Sequence, residues 1–572
     1  MTPIAIGVLR LTIDANGTFA RAITIAGEEV FRGIGFVVRD RNWATPALAG
    51  TCEIEHAPGR IVARGRGRLS LEEAVLDWTT EWTVTEAGLI ARARFASPTG
   101  FDTARTGFVA LHSLGAARGR DVRITHPGGE VDEQTFPDLV SPHQPFFDIA
   151  GMDYITAAGH GLHIAFDNEV FETEDQRNWT DASYKTYCRP LARPFPFTIR
   201  DTTEQGVRVA FSPIAISSVG AAAPPTVAKR TAMPALGTAL PPGAMALGTG
   251  AALRQLAPAF TAIEIDLFDE DWAARTMEKI QATPGQIRLD LRPHAQQIAA
   301  IGTLLPHLQD GRLLAVSLWG ADDATLADAR HLLPDVAIGG GTGAFFTELN
   351  RMTAWPARAD YLAWTSNPTV HGDSDDTLGE SIEPLNDILR TALATLPVKR
   401  FQIGPLTLGM RFNPNATTEE GRRRAAAPDP RQGTLIAAAW LVGTVAGYAE
   451  NAVTALTFFE PIGPKGLLAA DGAVTPAGHV FTRLAALAGQ ETQILVWPGA
   501  SRVRGLRILG PETTVLCLAN AHHDTVHLPL PDGRWGAAPL TPEGFGPEAT
   551  ADHLDLGGFS VSWLTLHHPQ PG

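Results

Sequence analysis

Cysteine is scarce in this chain. Its 572 residues hold three, Cys52, Cys188 and Cys517, too few and too scattered for a CxxC thiolate metal cluster or a disulfide framework. Basic charge is short as well: 46 Lys and Arg stand against 61 Asp and Glu, a net charge of −15. An acidic balance repels phosphate backbones and anionic lipid, so neither nucleic acid nor a membrane surface is an expected partner. No run approaches the ~18 uninterrupted apolar residues of a membrane span. The opening stretch Met1–Phe19 is broken by Arg10, Asp14 and Asn16, unlike a signal peptide. The expectation is a reduced, cytoplasmic protein. Cofactor signatures are also missing: no GxGxxG or GxxxxGK[ST] follows a first strand, and Ser366, Ser374 and Ser381 sit in no GxSxG frame. No cofactor is expected, and a serine nucleophile is disfavoured.

What is present is enough apolar residue, 44%, for a large core. Residues 1–230 carry short alternating runs such as Leu9–Ile13, Ala22–Ile25, Arg60–Arg64, Trp78–Val84, Leu89–Phe95 and Val207–Phe211. Gly, Pro, Asn and Asp punctuate them, the pattern of an antiparallel β-sandwich. Leu69–Val75 alone hints at helix. From Ile216 to Gly243 the composition turns to Ala, Pro and Gly, which reads as a linker.

Residues 244–488 then alternate apolar runs with helix-length segments. The runs are Met245–Thr249, Ala262–Leu267, Gln286–Leu291, Leu313–Leu318, Val336–Gly340, Tyr361–Thr365, Phe401–Leu406 and Ala452–Phe458. The helices are Asp271–Gln281, Ala295–Leu308, Ala324–Leu333, Leu378–Leu393 and Arg431–Ala449. Eight strands with helices between them predict a (β/α)8 TIM barrel, an open doubly wound sheet being the alternative. The glycines Gly339–Gly341 and Gly343 read as a flexible strand-to-loop exit. Residues 489–572 return to a β pattern and predict a small C-terminal β-sandwich.

Barrel chemistry sits on the loops after the carboxyl ends of strands. Those loops offer Glu348, Asn350 and Arg351 after the fifth run, His371 and Asp373 after the sixth, Arg411 and Asn413 after the seventh, and Glu460 after the eighth. A carboxylate beside aromatics is partly desolvated, which raises its pKa toward the range useful for acid–base work. Glu348 and Glu460 fit that description and leave strands three apart, so they are expected to face each other across the mouth. His371 is a substitute base. The bland reading makes either glutamate a rim partner of Arg351 or Arg411. Asp266 and Asp290 are read chiefly as structural acids. His371 with Asp373, Asp375 and Asp376 matches no metal-ligand spacing, and Asp375–Thr377 makes a good helix start; no metal is expected. The segment Phe171–Pro196 is unusual, crowding Arg177, Asn178, Trp179, Tyr184 and their acidic neighbours into poor strand material. Arg and Asn suit sugar hydroxyls or a carboxylate, and Trp or Tyr a sugar face. A domain-interface loop is the competing reading.

Four segments in this order, FETEDQRNWTDASYKTY, GGGTGAFFTELNR, NPTVH and RFNP, resemble the D-apionate lactonase family, from about Phe31–Gly33 through the eighth barrel strand. That family opens the lactone of a branched sugar acid in bacterial apiose catabolism, so the resemblance implies a hydrolase acting on a small sugar lactone. The layout also resembles glycoside hydrolases whose barrel is followed by a small sandwich. The large clan of that kind places its glutamates after strands four and seven, where this chain has Leu318–Asp322 and Leu406–Arg411 without Glu. Three readings follow: a lactonase with either Glu348 or Glu460 as base and the other as acid, a glycoside hydrolase acting on pentose glycosides, and a non-catalytic carbohydrate-binding protein. Self-association is left open.

Overall fold

The computed structural model describes all residues except 213–223, 293–299, 309–310, 412–415, 417, 419–426 and 568–572. They cluster into two compact units. One is built mainly from Met1–Arg177 and Ala182–Val219, the other mainly from Gly220–Arg411 and Ala426–Gly572, with Asn178–Asp181 counted in the second.

The first unit is a β-sandwich of two nine-stranded sheets. One contains Glu28–Asp40, Phe101–Ser113, Ser183–Tyr187 and Phe171–Asp175 as successive neighbours; the other runs through Gly161–Asp167, Thr203–Ser212, Gly88–Ala96, Ala74–Thr85 and Arg60–Leu71. Alternation along each strand sends Ile34, Phe36, Val38, Phe108 and Ala110 of one sheet and Trp78, Trp82, Leu89 and Val209 of the other into a shared core, as the period of two requires. Two expectations are corrected. Leu69–Val75 is no helix; it ends one strand and begins the next, joined by a hairpin. Phe171–Asp175 and Ser183–Tyr187 are strands after all, paired from Glu172↔Tyr187 to Asp175↔Tyr184 and joined through a 3-10 turn over Gln176–Trp179, because their polar groups satisfy one another rather than solvent.

The second unit holds a closed parallel barrel of eight strands: β1 Ala235–Leu240, β2 Phe260–Asp266, β3 Ile287–Arg292, β4 Leu313–Leu318, β5 Ala337–Phe345, β6 Tyr361–Thr365, β7 Phe401–Leu406 and β8 Val453–Phe458. Seven of these lie on the expected runs. The first does not. Met245–Thr249 is a loop leading into α1 (Thr249–Leu256), and the true first strand, ALGTAL, lies inside the stretch read as a linker. Its small residues hide it. Gly237 is needed because a Cβ there would lie 2.5 Å from the Phe260 ring. Gly339 of β5 plays the same part against Tyr361, at 2.2 Å, so the glycine run is a packed strand and not a flexible exit.

Helices follow: α2 Trp272–Ala282, α3 Asp323–Leu332, α4 Phe346–Arg351, α5 Asp375–Glu380, α6 Leu385–Thr395, α7 Leu435–Tyr448 and α8 Pro476–Ala485. The single segment expected over Leu378–Leu393 is thus two helices. Ser374 caps α5 through the Thr377 N–H, with Asp375 and Asp376 in its first turn, which favours the positive helix end. From Ala437 onward α7 is buried all round. It packs against the C-terminal sheet as well as against barrel helices, and a helix without a polar face needs such cover. That sheet has eight strands and a separate two-stranded partner, and Thr226–Ala232 forms its edge beside Glu491–Val496. No helix of the described residues is long and apolar enough to cross a membrane.

Candidate active site

Two groups of polar side chains gather at or beyond the carboxyl ends of the barrel strands. The first centres on Glu264, which sequence reasoning passed over in favour of Asp266 at the strand end. Along β2 the inward positions are Phe260, Ala262 and Glu264, a period-two count that the sequence itself contained. Glu264 is 1% exposed, and both its oxygens accept from Nη2 of Arg411, which follows β7. Nη1 of Arg411 is buried with no hydrogen-bond acceptor among the described residues. Glu460 stands beside this pair. Burial pushes its carboxyl above the ordinary glutamate range and Glu264 adds to the push, while Lys465, Arg411 and Lys279 pull it back. Lys279 of α2 is itself buried, its ammonium pKa lowered chiefly by desolvation. Asp266 caps a turn, accepting from Phe268 N–H at 3.1 Å.

The second group forms around the loops after β5 and β6. His371 Nδ1 lies 2.6 Å from Asp181 Oδ2, and the Trp179 ring meets both His371 and Phe345 edge-on at 5.7 and 5.5 Å. Asn350 Nδ2 donates to Asn178 Oδ1 at 3.0 Å, and Thr180 Oγ1 donates to the Asn367 carbonyl at 2.9 Å. Thus Asn178–Asp181 supplies a carboxylate, an amide and an indole to this unit. Asp181 was not among the expected site residues, although it stands inside the most distinctive motif. Glu348, on α4, is exposed and accepts from Thr342 Oγ1 at 2.8 Å. Among the described residues no hydrogen bond, ion pair or electrostatic contact joins Glu348 to Glu460. Arg351 is partly exposed and Asp373 exposed; Asn413 lies outside the described residues.

Arg177 and Tyr184, expected to meet substrate, are committed to the fold. Arg177 is fully buried, forks onto Asp175 at 2.9 and 2.7 Å, and donates to the carbonyls of Pro137, Asp138 and Leu139. Tyr184 OH donates to the Pro137 carbonyl, and its ring lies under the Arg177 guanidinium. The acids near His371 share no centre: Asp375 pairs with Arg431, and Asp376 with His523. His522, His523 and Asp524, in a turn of the C-terminal sheet, bring three potential ligand atoms within 4.8 Å of one another.

Comparison with known proteins adds to this geometry. The D-apionate lactonase N-terminal domain matches residues 2–213, and the D-apionate lactonase TIM barrel domain matches residues 319–489. The chain belongs to the D-apionate lactonase family. A D-apionate lactonase of Brucella anthropi is 28% identical over 525 residues, covering 84% of this chain and 86% of the relative. Among solved structures, a GH30 endoxylanase from Clostridium papyrosolvens covers 60% of this chain and all of its own, at 9% identity and a TM-score of 0.42. A GH36 alpha-galactosidase from Geobacillus stearothermophilus covers 99% and 100%, at 10% identity and a TM-score of 0.29. Within the family frame, Asp181 and His371 both fall inside matched regions, as do Glu348, Arg411 and Glu460; Glu264 falls between them.

Proposed function

We propose that this member of the D-apionate lactonase family is a cytoplasmic hydrolase that opens a small sugar-acid lactone, and that both polar groups serve the reaction. The observation that carries the assignment of roles is the Arg411–Glu264 pair. One guanidinium nitrogen is fixed by a buried carboxylate, and the other is left as a donor without an acceptor among the described residues. A donor held in advance where charge will develop is what an acyl carbonyl needs as it becomes tetrahedral. Water adds to that carbonyl and loses a proton to a base. The ring C–O bond then breaks, and its oxygen leaves as an alcohol with a proton from Glu460, whose raised pKa keeps it protonated to higher pH than an ordinary glutamate. His371 is the base: with Nδ1 turned to Asp181, its Nε2 is the proton-accepting nitrogen. Glu348 is the second candidate for that role. Asn178, Trp179, Asn350, Arg351, Asp373 and Asn413 are assigned to sugar binding, with the indole offering an apolar face to the ring.

The test is acid release, followed in a pH-stat with apionolactone, other aldonolactones and aryl pentosides. Release from a lactone supports this reading. Release from pentosides alone supports a glycosidase, and sugar binding without turnover a carbohydrate-binding protein. Asp181→Asn, His371→Asn and Glu348→Gln then divide the base role. Asp181→Asn and His371→Asn are expected to lower kcat together, by about 10²-fold or more, while Glu348→Gln retains turnover. The reverse pattern transfers the role to Glu348.

A further inference from the structure

In the β-sandwich, the guanidinium of Arg105 meets no hydrogen-bond acceptor or carboxylate among the described residues. On the sheet containing Glu28–Asp40 and Phe101–Ser113, Arg39 and Arg105 are direct partners across the antiparallel register. They share the face turned away from the core residues Phe36, Val38 and Phe108. Like charges placed opposite one another destabilise a sheet, and here one of them is 7% exposed. The Arg105 guanidinium lies 4.1 Å from the Tyr187 ring centroid and 5.3 Å from that of Trp43. Among the described residues no acceptor or carboxylate meets it, and its buried Nε is unsatisfied. The acids on this face are already engaged. Glu172 accepts from Tyr187 OH and from Leu191 N–H, and Glu174 pairs with Lys185 Nζ at 3.0 Å. An arginine cannot shed its proton to escape burial, and a buried charge left uncompensated is strongly destabilising.

We propose that Arg105, with Lys185 beside it, forms a carboxylate-binding site of the N-terminal unit that takes a small hydroxy-acid anion. A guanidinium held between two rings keeps its plane fixed and presents its N–H edge, which matches a planar carboxylate by paired hydrogen bonds. The ring faces limit what lies beside it to thin, partly apolar groups, and the Lys185 ammonium offers donors to hydroxyls. The aldonate released by lactone opening has this chemistry. Choosing an aldonate over other carboxylates rests on the lactonase reading; the demand for an anion does not.

The test titrates the full chain with erythronate, with erythritol as its uncharged analogue and with inorganic phosphate, by calorimetry and by shift in melting temperature. Wild type is expected to bind erythronate and ignore erythritol. Arg105→Gln is expected to weaken erythronate by about tenfold or more, and Lys185→Gln by less. Arg105→Lys keeps the charge but not the fork and is expected to fall between wild type and Arg105→Gln; it also serves if Arg105→Gln does not fold. Equal erythronate affinity in wild type and both Arg105 variants, or none in wild type, overturns the site. Phosphate binding as tight as erythronate and equally dependent on Arg105 overturns the ligand class. Lactone hydrolysis by the same wild-type preparation separates the two claims. Hydrolysis without erythronate binding removes this site alone, and erythronate binding without hydrolysis removes the lactonase reading alone.

Discussion

Strand β7 touches two arginine–carboxylate pairs, and they differ in what is left over. Near its amino end, Gln402 accepts from Arg288 Nη1 at 3.2 Å across the barrel, while the rest of that guanidinium forks onto Asp290 at 2.8 Å twice. Both charges are almost wholly buried, at 1% and 0% exposure. Nearby, Ser317 and Tyr361 close on each other at 2.9 Å. Beyond the carboxyl end of the same strand, Arg411 gives one nitrogen to Glu264 and keeps the other unmatched among the described residues, with a protonation-prone Glu460 alongside. The same two residue types are a closed strut in one place and an unfinished valence in the other. Stability favours closed networks, whereas chemistry needs groups whose hydrogen bonds are completed only by a reacting molecule.

That contrast breaks if the two pairs respond alike. The largest effect is expected for Glu460→Gln, which should cut kcat by about 10²- to 10⁴-fold and remove the alkaline limb of the pH–rate profile. Its stability effect has the opposite sign from a structural ion pair. A raised folded-state pKa means that stability falls as pH rises from the ordinary glutamate value through the raised one. At neutral pH the glutamine variant should therefore unfold no earlier than wild type in a denaturant titration. Asp290→Asn should do the converse. It strands Arg288 in the barrel interior and is expected to cost about 3–5 kcal/mol in the same titration, with kcat of the folded fraction near wild type. The smallest effect belongs to the exposed sheet face of the sandwich, where Arg68 and Asp77 pair at 64% and 44% exposure. Arg68→Gln should leave the melting temperature unmoved, since solvent replaces what the pair provides. A large loss there would erase the distinction between solvated and buried pairs.

Periodicity made most of the fold legible. Seven barrel strands are apolar runs of the right length, and α7 declares its burial by lacking any polar face. β1 was illegible because its residues are small and flanked by Pro234 and Pro241, and small residues are required there by the Phe260 ring on the neighbouring strand. The strands Phe171–Asp175 and Ser183–Tyr187 are hidden for a related reason. Composition marks Glu172, Glu174 and Lys185 as poor strand formers, but a sheet accepts them when each finds its partner across the register. For the candidate site, residue type and position after a strand single out Arg411, Glu460 and His371, whose roles are the proposal above. Neither spacing nor type could announce Asp181, whose partner lies far along the chain. Glu264 is legible from the alternation along β2, two residues before the strand-end Asp266.

Asp181 precedes the first barrel strand in the sequence, yet its partner His371 follows the sixth. A gene fragment encoding the barrel strands alone would therefore specify the imidazole without the carboxylate hydrogen-bonded to it, and without the indole of Trp179 at its edge. Recombination that carried off the barrel strands by themselves would deliver His371 without Asp181 and Trp179.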